Sequence, residues 1–250
     1  MNFFDHILKA KNRRLLIGGH RGHQSQTREN TIANFAELSG SGVDYIEIDI
    51  QLSKDEQAVI YHDKELSEKT SLNGRVRDYT VTEMKEVFEL CTLDETICWC
   101  KANRMCTLLE IKSKDYNERE RTVLGGKIAD SIRSFSFADQ CMLLSIDYEI
   151  LKIIKEAVPE IHLALIVPSI PDDPVRMMKE MKASVYLSYL DDLNKTAVEQ
   201  LQRNGFVVDG SVVNTEKDLQ KALGLGVDMI ESDYPEMIMK IYQSIPIGDE

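Results

Sequence analysis

Short runs of aliphatic and β-branched residues alternate with longer amphipathic stretches from one end of the chain to the other, and no other feature restricts the fold as tightly. A parallel strand needs a crossover to reach its neighbour, and a helix covering the sheet supplies it, so this alternation is how βαβ units look in sequence. The short runs fall near Leu15–Gly19, Tyr45–Leu52, Thr107–Ile111, Cys141–Ile146, His162–Val167, Val185–Tyr189, Phe206–Val213 and Met229–Glu231. Eight of them in 250 residues match the strand number and size of a closed (β/α)8 TIM barrel. A doubly wound open sheet is the other arrangement that the pattern allows.

Helix starts are marked in the expected way. Glu29-Asn30-Thr31 precedes Ile32-Ala-Asn-Phe35, and Asn214-Thr215-Glu216 precedes Leu219–Leu223, with Gly224 and Gly226 placed to end that helix. One connection breaks the rhythm. About fifty residues separate the second run from the third, with a hairpin expected at Ala58–His62 and a turn at Thr70–Gly74. This gives a small insertion after the second strand, about 51–105, at the mouth of the barrel where long βα loops carry chemistry. No internal repeat or Pro/Ser-rich linker divides the chain, so a single domain over 1–250 is expected.

Composition narrows the partners. A net charge of −12 offers no global positive field for nucleic acid or an anionic membrane surface. The apolar fraction of 43% is ample for one core, yet no run reaches the roughly eighteen apolar residues of a membrane-spanning helix. Met1–Arg14 lacks the unbroken apolar centre of a secretory signal, and the odd set Cys91, Cys98, Cys100, Cys106 and Cys141 reads as reduced thiols. Their spacing does not match a zinc site. A cytoplasmic protein is expected, acting on a small molecule and compatible with a homo-oligomer.

The residues that carry chemistry stand at strand ends. Glu47 and Asp49 lie two apart in Tyr45-Ile-Glu-Ile-Asp-Ile50 and so share one face of the strand. Carboxylates among isoleucines call for a partner or a cation, unless the strand is an edge with a solvated stripe. Glu110 and Lys112 repeat the spacing in Leu108-Leu-Glu-Ile-Lys112, either bringing a third carboxylate and an ammonium to the same cavity or forming a buried ion pair. Three hard oxygen donors favour Mg2+ or Ca2+ over zinc. His20 ends the first strand in Ile17-Gly-Gly-His-Arg-Gly22, and His62 closes Ala58-Val-Ile-Tyr-His. Two imidazoles at a barrel mouth can divide acid and base duties in a phosphoryl transfer, or be structural; Arg21 offers a planar fork for phosphate oxygens. His6, His23 and His162 have no comparable setting.

With these residues placed, the chain resembles the glycerophosphodiester phosphodiesterase family over nearly its whole length. The resemblance rests on His20-Arg21-Gly22 with Glu29-Asn30-Thr31, on Ile46-Glu47-Ile48-Asp49, on His62-Asp63, on Leu109-Glu110-Ile111-Lys112 and on Gly226 to Pro235, in register. It implies a (β/α)8 barrel, His20 and His62 as the acid/base pair, a divalent metal on Glu47, Asp49 and Glu110, and a phosphate held by Arg21 and Lys112. The implied reaction is cleavage of a glycerophosphodiester to sn-glycerol 3-phosphate and an alcohol. Three positions depart from the family pattern. Arg28 stands where proline is usual, Glu68 where arginine is common, and Ser211 where a tryptophan lines the glycerol end of the pocket. The smaller Ser211 suggests room for a different or larger substrate such as a lysophospholipid. A barrel that binds phosphorylated ligands with little turnover is the reading from another class.

Overall fold

The computed structural model describes residues 2–11 and 13–245. In chain order the strands are β1 Leu16–Gly19, β2 Tyr45–Leu52, β3 Ala58–Ile60, β4 Cys91–Thr92, β5 Cys106–Ile111, β6 Cys141–Ser145, β7 His162–Ile166, β8 Val185–Tyr189, β9 Val207–Ser211 and β10 Met229–Ser232. Eight of these, β1, β2 and β5 to β10, pair in parallel, and β1 pairs with both β10 and β2, so the sheet closes into a barrel. Closure removes the sheet edges and settles the choice against an open sheet. All eight expected strands are present; Tyr45–Leu52 and Val185–Tyr189 match the apolar runs at both ends, and the others differ by at most two residues at an end.

Helices α1 Phe3–Ala10, α2 Ile32–Glu37, α3 Val81–Lys85, α4 Leu93–Asn103, α5 Glu118–Ser134, α6 Tyr148–Ala157, α7 Pro174–Glu180, α8 Lys195–Arg203, α9 Glu216–Leu225 and α10 Pro235–Ser244 complete the fold. Thr31 and Thr215 cap α2 and α9 through their side chains, as their sequence positions suggest. The expected stop at Gly224 is not one, because α9 runs through it and ends at Gly226 (φ 75°). An interior glycine weakens a helix by only about 1 kcal/mol, whereas the left-handed terminus itself favours a residue without Cβ.

Between β2 and β5 the chain leaves the βα rhythm. β3 runs antiparallel to β2 with Ile50 opposite Ile60, and β4 adds to β3 with Cys91 opposite Ile60. Leu66, Val76 and Met84 join Val59 and Tyr61 in a small core of their own under this excursion. α4 then returns the chain to the helical layer, where Trp99 packs against Phe35 of α2 at 6.0 Å. The lone tryptophan therefore sits outside the barrel wall, away from the mouth.

Apolar residues fall into two main sets. One fills the space between strands and outer helices, with Ile46, Ile48, Leu109, Leu143, Leu163 and Ile230 facing outward. The other fills the barrel, with Leu16, Tyr45, Leu108, Met142, Leu144, Val185, Leu187 and Met229 facing inward. α1 plugs the lower end with Phe3, Ile7 and Ala10, spaced i, i+4, i+7 along one helix face. Alternation along each strand then places His20, Glu47, Asp49, Glu110 and Glu231 on the inward side toward the upper end. The five cysteines are unpaired, and no described helix is long and apolar enough to cross a membrane.

Candidate active site

The β1–α2 loop shapes one wall of the site. Arg21 takes a left-handed turn (φ 53°), which aims its backbone N–H at Glu47 Oε2, 2.9 Å away. Gly22 continues the turn at φ 88°, where a Cβ would lie 2.0 Å from Asn34 Oδ1. That amide is itself committed, accepting from the His23 N–H and donating to the His23 carbonyl. Asn30 closes the loop from the other side, donating to Asp49 Oδ2 at 2.8 Å and accepting from the Asp49 N–H. The Glu-Asn-Thr sequence thus supplies both a helix cap and a support for the Asp49 carboxylate.

Glu47, Asp49 and Glu110 converge: one carboxylate oxygen from each lies within 4.8 Å of the others. Register brings this about, since Asp49 on β2 stands directly beside Glu110 on β5. Glu47 and Asp49 are fully buried, and Glu47 Oε1 and Asp49 Oδ1 make no hydrogen bond. Lys112 Nζ approaches Glu110 Oε1 at 2.6 Å and Asp49 Oδ1 at 3.0 Å, the second without hydrogen-bond alignment. Both sequence alternatives for Glu110 and Lys112 are therefore present together: the two pair, and they do so inside the carboxylate cluster.

Electrostatics separates the two buried acids. Burial, then repulsion from Asp49 and Glu110, raises the Glu47 carboxyl well above the usual range. Burial pushes Asp49 the same way, but the charges of Lys112, His62 and Arg21 and the Asn30 hydrogen bond outweigh it and hold Asp49 at about 2. Lys112 is pulled down by burial and up by Asp49, Glu110 and Glu47, and the carboxylates win. The cluster holds one strongly ionised carboxylate, an ammonium, and oxygen atoms that lack a partner.

Each histidine is steered by its own aspartate. His20 Nδ1 lies 2.7 Å from Asp233 Oδ1, whose second oxygen accepts from Asn214 Nδ2 at 2.6 Å. His62 Nδ1 lies 2.7 Å from Asp63 Oδ1, and Arg21 Nη2 approaches His62 Nε2 at 2.7 Å. A guanidinium only donates, so Nε2 of His62 is the acceptor and its proton sits on Nδ1. Gln51, inward-facing like Glu47 and Asp49, anchors the His62 segment by donating to the carbonyls of Tyr61 and Asp63, both at 2.9 Å. Arg21 Nε also stands 3.7 Å from Asp49 Oδ2.

All seven residues singled out from sequence thus meet at one end of the barrel. Asp233, Asn214, Asp63, Asn30 and Gln51 support these seven and lie outside that set, although all five fall within or beside the quoted motifs. Spacing signals two of them, Gln51 two residues after Asp49 on β2 and Asp233 two residues after Glu231, just past the end of β10. A cavity of about 370 Å3 opens beside the cluster, lined by His62, Glu110 and Lys112 and by Ile146, Ile166 and Tyr189 from the ends of β6 to β8. Ser211 is not part of that lining. It is buried, with its hydroxyl donating to Asp209 Oδ1 at 2.5 Å and accepting from the Glu231 N–H at 2.7 Å.

A glycerophosphodiester phosphodiesterase of Bacillus altitudinis is 28% identical over 242 residues, covering 92% of this chain and 98% of the relative. A lysophospholipase D of Homo sapiens is 25% identical over 258 residues, covering 86% and 82%. Among solved structures, an Oleispira antarctica phosphodiesterase in complex with the product sn-glycerol 3-phosphate superposes with a TM-score of 0.86 at 24% identity, covering 94% of this chain and 99% of that one. The model of the glycerophosphoryl diester phosphodiesterase family matches residues 20–237, which take in both histidines, every carboxylate of the cluster and Asp233, and the chain belongs to that family.

Proposed function

We propose that this chain hydrolyses glycerophosphodiesters to sn-glycerol 3-phosphate and an alcohol, with His20 and His62 as the acid/base pair and a divalent cation, Mg2+ or Ca2+, on Glu47, Asp49 and Glu110. The observation that carries the reading is the carboxylate cluster with buried, unpartnered oxygens, flanked by two histidines that are each oriented by an aspartate. The residues fit a hard cation: three carboxylates within one ion's reach, two of them with a buried oxygen that makes no hydrogen bond. When bound, such an ion neutralises charge on the non-bridging phosphate oxygens.

The chain's own residues account for the remaining steps. Arg21 and Lys112 stand beside the cluster and hold the phosphate, Arg21 as a fork and Lys112 as a point charge. Substrate that draws Arg21 onto its phosphate also uncovers His62 Nε2, which Arg21 otherwise occupies. One imidazole takes the proton of the attacking oxygen, and the other protonates the departing alcohol, whose high pKa otherwise slows its loss. Asp233 and Asp63 hold the rings in the tautomer that leaves Nε2 facing substrate.

The test is turnover of glycerophosphocholine and glycerophosphoethanolamine with and without chelator, together with His20→Ala and His62→Ala. Loss of activity on chelation and in each variant is expected. Near-full activity in either variant would end the acid/base assignment, and activity that survives exhaustive chelation would end the cation assignment. A lysophospholipid is the second reading, favoured by the apolar side chains Ile146, Ile166 and Tyr189 along the cavity. The support lies on that wall, since Ser211 faces Asp209 instead. Turnover confined to glycerophosphodiesters with small head groups would remove it.

A further inference from the structure

The barrel holds a second set of ligand atoms to which the diesterase reading gives no role as a set. His20, Glu47 and Glu231 each bring one such atom to a common space, all within 4.8 Å of one another. Glu231 lies on β10, opposite Gly18 of β1, where the Tyr45 ring takes up the room a Cβ would need. It is 4% exposed, and its Oε1 has no hydrogen-bond partner; Glu47 Oε1 is buried and without one as well. Two buried carboxyl groups that meet in one space, each with an oxygen that makes no hydrogen bond, are unfavourable as anions unless a proton or a cation joins them.

The donor set differs from the first cluster in kind. One imidazole nitrogen with two carboxylate oxygens suits zinc or a similar borderline ion, whereas the all-oxygen set of Glu47, Asp49 and Glu110 suits Mg2+ or Ca2+. His20 also has the outer partner that metal-bound histidines usually carry: Nδ1 is tied to Asp233 Oδ1 at 2.7 Å, which leaves Nε2 with its lone pair for a ligand. Glu47 is common to both sets, so binding at one is felt at the other.

We propose that His20, Glu47 and Glu231 form a second cation site that takes Zn2+ or a similar ion and, when filled, inhibits the enzyme by occupying the His20 nitrogen needed for proton transfer. The inhibition rests on the acid/base reading given above; the binding does not.

The test uses full-length protein carrying Cys98→Ser, since Cys98 is an exposed thiol and competes for zinc. Bound Zn2+ is counted by equilibrium dialysis in excess Mg2+, and turnover is followed as Zn2+ rises. The same is done with Glu231→Gln and with Glu231→Met, which fills the space without a ligand. Either variant is expected to bind one Zn2+ fewer per chain, to keep its basal Mg2+-supported activity, and to need about tenfold or more Zn2+ for half-inhibition. Equal zinc counts and equal inhibition in parent and variants would overturn the proposal and place any zinc effect at the first cluster. Should the parent show no turnover with any cation, the diesterase reading fails, while the zinc count still decides the site.

Discussion

Replacing Asp233 by asparagine tests the role of His20 more sharply than removing the histidine. Asp233 Oδ1 accepts from His20 Nδ1 at 2.7 Å, and Asp233 Oδ2 accepts from Asn214 Nδ2 at 2.6 Å. Asn214 can only donate there, because its own oxygen takes the Asp233 N–H at 2.8 Å. An asparagine at 233 must therefore turn its carbonyl to Asn214 and its NH2 to His20. Nδ1 then becomes the acceptor, the ring proton moves to Nε2, and the nitrogen facing substrate can no longer take a proton. The lost charge-assisted hydrogen bond is worth about 1.5–3 kcal/mol, or roughly 10- to 150-fold in rate. Restoring the useful tautomer breaks one more hydrogen bond of about 1 kcal/mol, so a fall in kcat of about 10²- to 10³-fold is expected with KM little changed. Asp233→Ala frees the ring without imposing the wrong tautomer and should fall by the first factor alone. Steady-state kinetics on glycerophosphocholine across pH 5 to 9, with a thermal melt to confirm folding, decides it. An Asp233→Asn enzyme with wild-type kcat would refute the assignment of His20 to proton transfer.

Three further outcomes follow from the structure. Gly22→Ala places a Cβ 2.0 Å from Asn34 Oδ1 at a left-handed residue; the backbone term and the two displaced His23 hydrogen bonds together predict a loss of about 3–4 kcal/mol, read by urea denaturation. Asp209 is raised from 3.8 to about 6 by burial, partly offset by hydrogen bonds from Ser211 and Tyr45. A raised carboxyl stabilises the fold fully below about pH 4 and loses that contribution as pH climbs through about 6. Metal-free Asp209→Asn should therefore be more stable than wild type at pH 7.5 and lose the advantage below pH 4; a pH-independent difference in denaturation midpoint would contradict this. Phe3→Ala empties the plug beneath Tyr45, whose ring lies 5.5 Å away, and should lower stability by about 3–5 kcal/mol and Tm by about 6–20 °C, seen by calorimetry.

Much of this arrangement was legible because a barrel converts sequence spacing into direction. Glu47 and Asp49 two apart on a buried strand had to share a face, and Glu110 with Lys112 repeated the spacing on the strand that pairs with it. The strand ends at His20 and His62 were readable for the same reason. Other residues were harder to read, because their role comes from pairing that no local pattern encodes. Asp233 matters through a histidine 213 positions earlier, and Glu231 through Glu47 across β1. α1 shows an apolar face in sequence, but nothing local says that this face meets the barrel floor and not a neighbouring helix. The tryptophan missing at 211 suggested an enlarged pocket, yet neighbouring hydrogen bonds draw Ser211 into the interior, and the cavity lies along β5 to β8 instead.

The division of the interior explains how one barrel holds so much unfavourable chemistry. Its lower half is packed with Tyr45, Leu108, Met142, Val185 and Met229 and sealed by α1, and a second apolar layer lies outside the strands. Each fully buried aliphatic or aromatic side chain there contributes about 1.5–3 kcal/mol. Glu47 and Glu231 sit just above that floor and Asp209 stands beside Met229 within it, each raised by burial. Buried carboxyls work against folding, Asp209 less than the others because Ser211 and Tyr45 donate to it. Glu47 and Glu231 stand beside His20, which places these destabilising groups where loops and cations can reach them. Stability in this chain is carried by residues far from the mouth, which leaves the mouth free to be poorly satisfied until a ligand arrives.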